Sequence, residues 1–165
     1  TCESCTGGGL GAMLTAVPGS SRWYRGGWIT YDNDMKSRHL GVPADLFEHR
    51  GAVSAEVAAA MATGGLERAE ADDALAITGI AGPGGGTPGK PVGTVWIAHA
   101  ARDDGHVRVR SRCFGFRGDR DTVRDRSGTM ALAMLRLALD GLESWPPGPP
   151  SVPLLWERPA PETPA

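Results

Sequence analysis

Lysine is nearly absent from this chain. Of its 17 basic residues only Lys36 and Lys90 are lysine, and the other 15 are arginine. Chemistry that needs an amine able to lose its proton therefore has two candidates, because a guanidinium stays protonated at ordinary pH. Aromatic residues are scarce as well, at 6%, and no apolar run approaches the roughly 18 residues that a membrane-spanning helix requires. No basic stretch followed by an apolar one opens the sequence, so no secretory signal is expected. Three cysteines are too few for a disulfide framework, and a reducing, cytoplasmic setting is expected. Cys2 and Cys5 have the spacing of a metal or dithiol pair. A zinc site needs four ligands, however, and there is no second cysteine pair, while His39, His49, His99 and His106 are scattered. A formal charge of -2 does not supply the positive field of a nucleic-acid binder.

Glycine and proline, by contrast, are abundant. Glycine fills 24 of 165 positions, about twice its usual share, which points to tight turns or close backbone approach to a ligand. Proline is concentrated at residues 145–165, where 8 of 21 positions carry it. That segment cannot build helix or ladder and is expected to be a disordered tail. Residues 1–144 are expected to form one domain, with enough apolar content (41%) for a core.

Within that domain, elements alternate. Residues 7–16 read as a short helix ending before Pro18, residues 27–31 as a strand, and residues 33–40 as a helix closed by Gly41 and Pro43. Ser54 is a good N-cap for a helix running to about Ala69, with Val57 and Met61 on its apolar stripe. Residues 73–80 and 93–101 are apolar runs bounded by turn residues. Residues 107–116 alternate, with Arg108, Arg110 and Arg112 on one face. A final helix is capped by Asp119 or Asp121 and carries Val123, Met130, Met134 and Leu137 at helical spacing, with Gly128 costing about 1 kcal/mol relative to alanine. Interleaved strands and helices imply an α/β layered domain. No strand is expected ahead of the first glycine-rich turn, which begins almost at Thr1.

Four segments carry candidate chemistry. Glu3-Ser4-Cys5-Thr6-Gly7-Gly8-Gly9 puts small hydroxyls and glycines at a helix start, where backbone N–H groups favour an anion; an ordinary capped turn explains it equally. Pro18-Gly19-Ser20-Ser21 followed by Tyr31 and Lys36 offers a serine nucleophile and an amine base, against the plain reading of a Gly-Ser turn and a surface lysine. The third, Thr78-Gly79-Ile80-Ala81-Gly82-Pro83-Gly84-Gly85-Gly86, leaves an apolar strand as a loop that can approach a phosphate or simply join two strands. Between Arg102 and Arg126, eight arginines alternate with five aspartates. That balance suits a solvated face, although Arg120 at a helix start can meet a phosphate bidentately.

ESCTGG, PGSS, Tyr-x-Asn-x-x-Lys, GAVS (51–54), TGIAGPGGGTPGKPVGTVW (78–96) and GDR (118–120) occur in this order. Together they resemble the C-terminal domain of the CinA proteins (competence/damage-inducible protein A), whose stand-alone members are nicotinamide-nucleotide amidases. The resemblance covers roughly residues 2 to 142. It implies a three-layer α/β domain with a mixed sheet, usually dimeric, that hydrolyses nicotinamide mononucleotide to nicotinate mononucleotide and ammonia with no metal and no cofactor. By the same resemblance Ser21, or its neighbour Ser20, is the nucleophile, Lys36 is the base and Tyr31 stands beside them. Ser4, Thr6 and Thr78 would line the pocket, and Arg120 with Gly79, Gly82 and Gly84 would hold the ribose phosphate. The family carries a helix and a core strand ahead of ESCTGG, so the sheet here is expected to lack that strand. The alternatives are a nucleotide-binding or oligomerising remnant without turnover, and a redox protein using Cys2 and Cys5.

Overall fold

The computed structural model describes residues 1–141; the proline-rich segment lies outside them. The described chain runs β1 (Cys2–Glu3), α1 (Gly9–Thr15), a single 3-10 turn (Ser20–Arg22), β2 (Trp28–Ile29), α2 (Asn33–Leu40), α3 (Asp45–His49), α4 (Ala55–Ala69), β3 (Asp73–Gly79), β4 (Thr94–Asp103), β5 (His106–Gly115) and α5 (Arg120–Leu139). The five strands form one mixed sheet in the order β2-β1-β3-β4-β5. β1 is parallel to both of its neighbours, and the β3–β4 and β4–β5 pairs are antiparallel.

Each strand's alternation sorts its side chains into two cores. Ala74, Ala76, Trp96, Ala98 and Ala100 face α4 together with Val57, Ala58, Met61 and Leu66. Leu75, Ile77, Val95 and Ile97 face the other way, against Leu10 of α1 and Val123 and Ala131 of α5. With both faces covered, β3 reads as a continuous apolar run, as buried strands do. The three-layer α/β expectation holds.

Two expectations change. The sheet does have a strand ahead of the glycine-rich turn: Cys2 pairs with Trp28 and Ala76, and Glu3 with Ile29 and Ile77. Both residues are essentially fully buried. Gly128, expected to be a mere cost, has a packing reason, because a Cβ there would press on the Met13 side chain where α1 crosses α5. On β5 burial increases from His106 toward Phe114 more than it alternates, as suits a strand at the sheet edge. Of the capping residues, Ser54 accepts from Val57 N–H at 3.3 Å, and Asp119, not Asp121, caps α5 by accepting from Thr122 N–H at 2.9 Å.

Small residues let α4 sit close. A methyl on Gly64 would overlap the carbonyl of Leu40 at the end of α2, and one on Gly65 would overlap the Cys2 sulfur. Alanine in a helix interior normally gains about 1 kcal/mol over glycine. Overlap with a backbone carbonyl outweighs that gain, so Gly64→Ala is expected to destabilise the fold by about 1–3 kcal/mol. Thermal unfolding checks this, and an unchanged or higher midpoint would show that α4 stands farther from α2 than described.

Candidate active site

The parallel strands β1, β2 and β3 all end on the same side of the sheet, and the chemistry gathers there, as it does in open α/β sheets. Lys36 lies one turn into α2, which is capped by the Asp32 carboxylate accepting from Asp34 N–H at 2.7 Å. The cap turns the helix back over the strand ends, so Lys36 is buried, at 1% exposure, among the largest fully enclosed side chains. Its Nζ donates to the Tyr31 carbonyl at 3.2 Å. Burial pushes the ammonium below the ordinary lysine value, while Asp32 and the Cys5 thiol oppose the shift. An amine in that position is suited to accepting a proton. Lys90, the other lysine, donates to the Arg50 carbonyl at 2.8 Å in an exposed loop.

Around Lys36 the sheet end is rich in hydroxyls. Thr6 follows β1 and Thr30 follows β2, while Thr94 begins β4 beside the end of β3. All three hydroxyl oxygens are buried without a hydrogen-bond partner among the described residues. Buried polar atoms are rarely left so, and a cluster of them at one end of a sheet marks a place built for polar atoms from outside the chain. Ser4 is nearly buried in the same turn. Thr78 is already engaged, its hydroxyl donating to the Ala52 carbonyl at 2.8 Å.

Arg120, the first residue of α5, ties the far wall together. Its Nη1 donates to the Gly82 carbonyl at 2.9 Å and its Nη2 to the Tyr31 hydroxyl at 3.0 Å. Gly82 has φ 88°, a left-handed backbone that turns its carbonyl toward the guanidinium at little cost only in glycine. Gly79 ends β3 against Thr94 and Val95, whereas Gly84 stands in open space. The structure thus brings together Tyr31, Lys36, Thr6, Gly82 and Arg120, with Ser4 in the adjoining turn and Thr78 near the end of β3.

Ser20 and Ser21 are elsewhere. Ser21 is exposed and lines a cleft of about 650 Å³ with Thr1, Tyr24, Asp72, Asp73 and Leu139. Asp73 opens β3 and Thr78 is near its end, a separation of roughly 17 Å along the strand. Within one chain, Ser21 therefore does not reach Lys36. The expected serine–lysine contact is not made in a single copy, because the link from α1 to β2 runs along the opposite rim of the sheet.

Two participants carry no role assigned from the sequence. Glu3, buried in β1, accepts hydrogen bonds from Gly8, Leu10 and Gly11 N–H at 3.0, 3.0 and 2.8 Å, fixing the Ser4–Gly9 turn and the start of α1. Arg124 donates to the Thr6 carbonyl at 3.0 Å. Helix spacing could have found the second of these, since Arg124 lies one turn beyond Arg120 along the same face. The redox reading of Cys2 and Cys5 loses its basis. Both are buried free thiols, and burial pushes each up to about 11, away from the reactive thiolate. Among the described residues no group of three His, Cys, Asp or Glu stands close enough to hold a metal ion, and no helix is long and apolar enough to cross a membrane.

Comparison with known proteins places this geometry in a lineage. A family model described as the CinA C-terminal domain matches residues 1–139. A CinA-like protein of Citrifermentans bemidjiense is 55% identical over 134 residues; the match covers 81% of this chain but only 31% of the relative, so the chain spans about a third of that protein's length. The nicotinamide-nucleotide amidohydrolase PncC of Pseudomonas putida is 51% identical over 132 residues, 80% of each chain. Among solved structures, the competence/damage-inducible protein CihA from Agrobacterium tumefaciens superimposes with a TM-score of 0.77 at 43% identity, covering 84% of this chain and 82% of that one. On sequence and fold together, the chain belongs to the CinA C-terminal domain family.

Proposed function

We propose that this chain hydrolyses the carboxamide of nicotinamide mononucleotide, giving nicotinate mononucleotide and ammonia. The observation that carries this reading is Lys36: a lysine buried at the strand ends, with burial favouring its neutral form and orphaned hydroxyls around it. The PncC relative supplies the reaction class.

In the proposed chemistry, neutral Lys36 takes the proton of a serine hydroxyl as that oxygen bonds to the carboxamide carbon. The C=O electron pair moves onto oxygen, then returns as the C–N bond breaks. Lys36 passes its proton to the departing nitrogen, which leaves as ammonia. Water repeats the sequence on the acyl-enzyme, restoring the serine and releasing the carboxylic acid. Arg120 and the loop around Gly82 and Gly84 receive the ribose phosphate, with Thr6, Thr78 and Gly79 on the pocket wall, and Tyr31 couples the phosphate end to the reacting end through Arg120. The serine that the family resemblance implies is Ser21, with Ser20 beside it, although within one chain Ser21 lines the cleft at the other end of the sheet from Lys36. Ser4 is the second candidate, because within one chain its neighbour Cys5 lies close enough to Lys36 for each to shift the other's proton affinity.

The test is ammonia release from nicotinamide mononucleotide as a function of pH. kcat/KM is expected to rise as Lys36 loses its proton, on a limb centred below the ordinary lysine value, since its folded pKa is lowered. Stability moves the same way. Between the folded and unfolded lysine values the unfolded chain binds more protons, so folding becomes more favourable as pH rises through that window. Absence of ammonia release from a folded chain at every pH would remove the amidase reading and leave nucleotide binding without turnover.

A further inference from the structure

Of the chain's two lysines, the proposed reaction uses one. Lys90 is the other, and it stands in the loop of residues 80–93 that joins β3 to β4. The base of that loop is closed by a continuation of the ladder. Ile80 N–H donates to the Thr94 carbonyl at 2.9 Å and Gly93 N–H to the Ile80 carbonyl at 2.7 Å. The middle has no such support. Four of the five residues at 82–86 are glycine, and among the described residues none of the five makes a backbone–backbone hydrogen bond. A stretch of that composition loses the most conformational freedom when it is held in one shape.

Two side chains hold it. Arg120 takes the near end through the Gly82 carbonyl, and Lys90 takes the far end. The Lys90 backbone is itself fixed, since Thr87 and Lys90 exchange N–H···O bonds of 2.9 and 3.1 Å across Pro88 and Gly89. The Thr87 hydroxyl accepts from Lys90 N–H as well, at 3.1 Å. From this closed turn Nζ reaches the Arg50 carbonyl, 40 residues away in sequence, at 2.8 Å. Arg50 is the C-cap of α3, where open carbonyls and the negative end of a helix dipole favour a cation. Its own guanidinium is paired with Glu56 at 3.1 Å, which offsets its repulsion of the Lys90 ammonium. The anchor point is tied to the sheet in turn, because the neighbouring Ala52 carbonyl accepts from the Thr78 hydroxyl.

From these contacts we infer that Lys90 is a positioning residue: by anchoring the glycine-rich loop to the end of α3, it holds the loop backbone where a phosphate monoester meets Arg120. This role rests on the proposed amidase and sets the geometry of its phosphate end. No step of the proposed chemistry passes through Lys90. A loop that is already held needs little further ordering when the anion arrives, so loss of the anchor weakens phosphate binding and leaves the chemical step intact.

Kinetics with and without the phosphate test the anchor. Lys90→Met changes a half-buried side chain in a surface loop and is expected to fold. For nicotinamide mononucleotide, KM should rise about tenfold while kcat stays within about threefold of wild type. Lys90→Arg keeps a long cationic donor and should bring KM back to within about threefold. Nicotinamide riboside lacks the phosphate, and its kcat/KM should be the same in Lys90→Met and wild type. Amide hydrogen exchange over residues 81–92 should be faster in Lys90→Met. An unchanged KM would overturn the inference. An equal loss on the riboside would overturn it too, by placing the effect at the reacting end or in the fold at large. A raised KM with unchanged exchange would show that Lys90 meets the phosphate itself and does not act through the loop. Should the wild type release no ammonia, the amidase reading falls, and the anchor is then read from calorimetry with ribose 5-phosphate. Binding about tenfold weaker in Lys90→Met would uphold it, whereas equal affinities, or no binding by the wild type, would overturn it.

Discussion

Lys36→Met is expected to lower kcat for ammonia release by at least about a hundredfold while KM stays within a few-fold and the melting temperature holds or rises. The two halves of that expectation have one cause. A lysine held at 1% exposure gives up the hydration of its ammonium, and burial is the main force lowering its proton affinity. Against that loss, the described residues offer it a 3.2 Å hydrogen bond to the Tyr31 carbonyl. Methionine reproduces the unbranched chain out to its fourth atom, lacks only the charged terminal nitrogen and needs no hydration, so the fold loses one long hydrogen bond and escapes a desolvation penalty. A residue kept at a cost to stability is retained for chemistry. The pH limb expected of the wild type should vanish in the variant. Activity within tenfold of wild type would show that another group takes the serine proton, and a large fall in melting temperature would show that Lys36 holds the fold instead.

Glu3→Ala is expected to be the most destabilising single change near the site, at roughly 3–5 kcal/mol. One buried carboxylate accepts three backbone N–H groups at the start of α1, and all three would lose their partner at once. It also places negative charge at the positive end of the α1 dipole. Glu3→Gln keeps an acceptor oxygen but adds an NH₂ that faces donors, so it should fall between alanine and wild type. Urea unfolding orders the three proteins. Equal stabilities would mean that water satisfies those amides and that the turn does not depend on the carboxylate.

The elements with local signals were legible in the sequence. Ser54 caps α4 and Asp119 caps α5 because a short oxygen-bearing side chain beside an apolar periodicity has few other uses. β1 was not legible. Two residues have no period, and Cys2–Glu3 is a strand only because Trp28–Ile29 and Ala76–Ile77 flank it from distant parts of the chain. α3 escaped for a similar reason: its five residues carry no side-chain cap. Lys36 in the first turn of α2 and Arg120 at the start of α5 stand where the helix signals set them. The separation of Ser21 from Lys36 was implicit in the topology. A chain that passes from β1 through α1 into a parallel β2 must return to the rim where β1 began, so the α1–β2 link lies at the amino end of the strands and everything after β2 at the carboxyl end. Motif spacing alone carries no such direction.

The contacts of Arg120 bear on how a phosphate would be recognised. Because the guanidinium already gives one N–H to the Gly82 carbonyl and one to the Tyr31 hydroxyl, it is held in place before any anion arrives, while three of its five N–H groups stay outside these two contacts. A phosphate could therefore add to the site without displacing either acceptor, and with little further ordering of the arginine. A charge arriving there would be felt, through one arginine, at the Tyr31 hydroxyl.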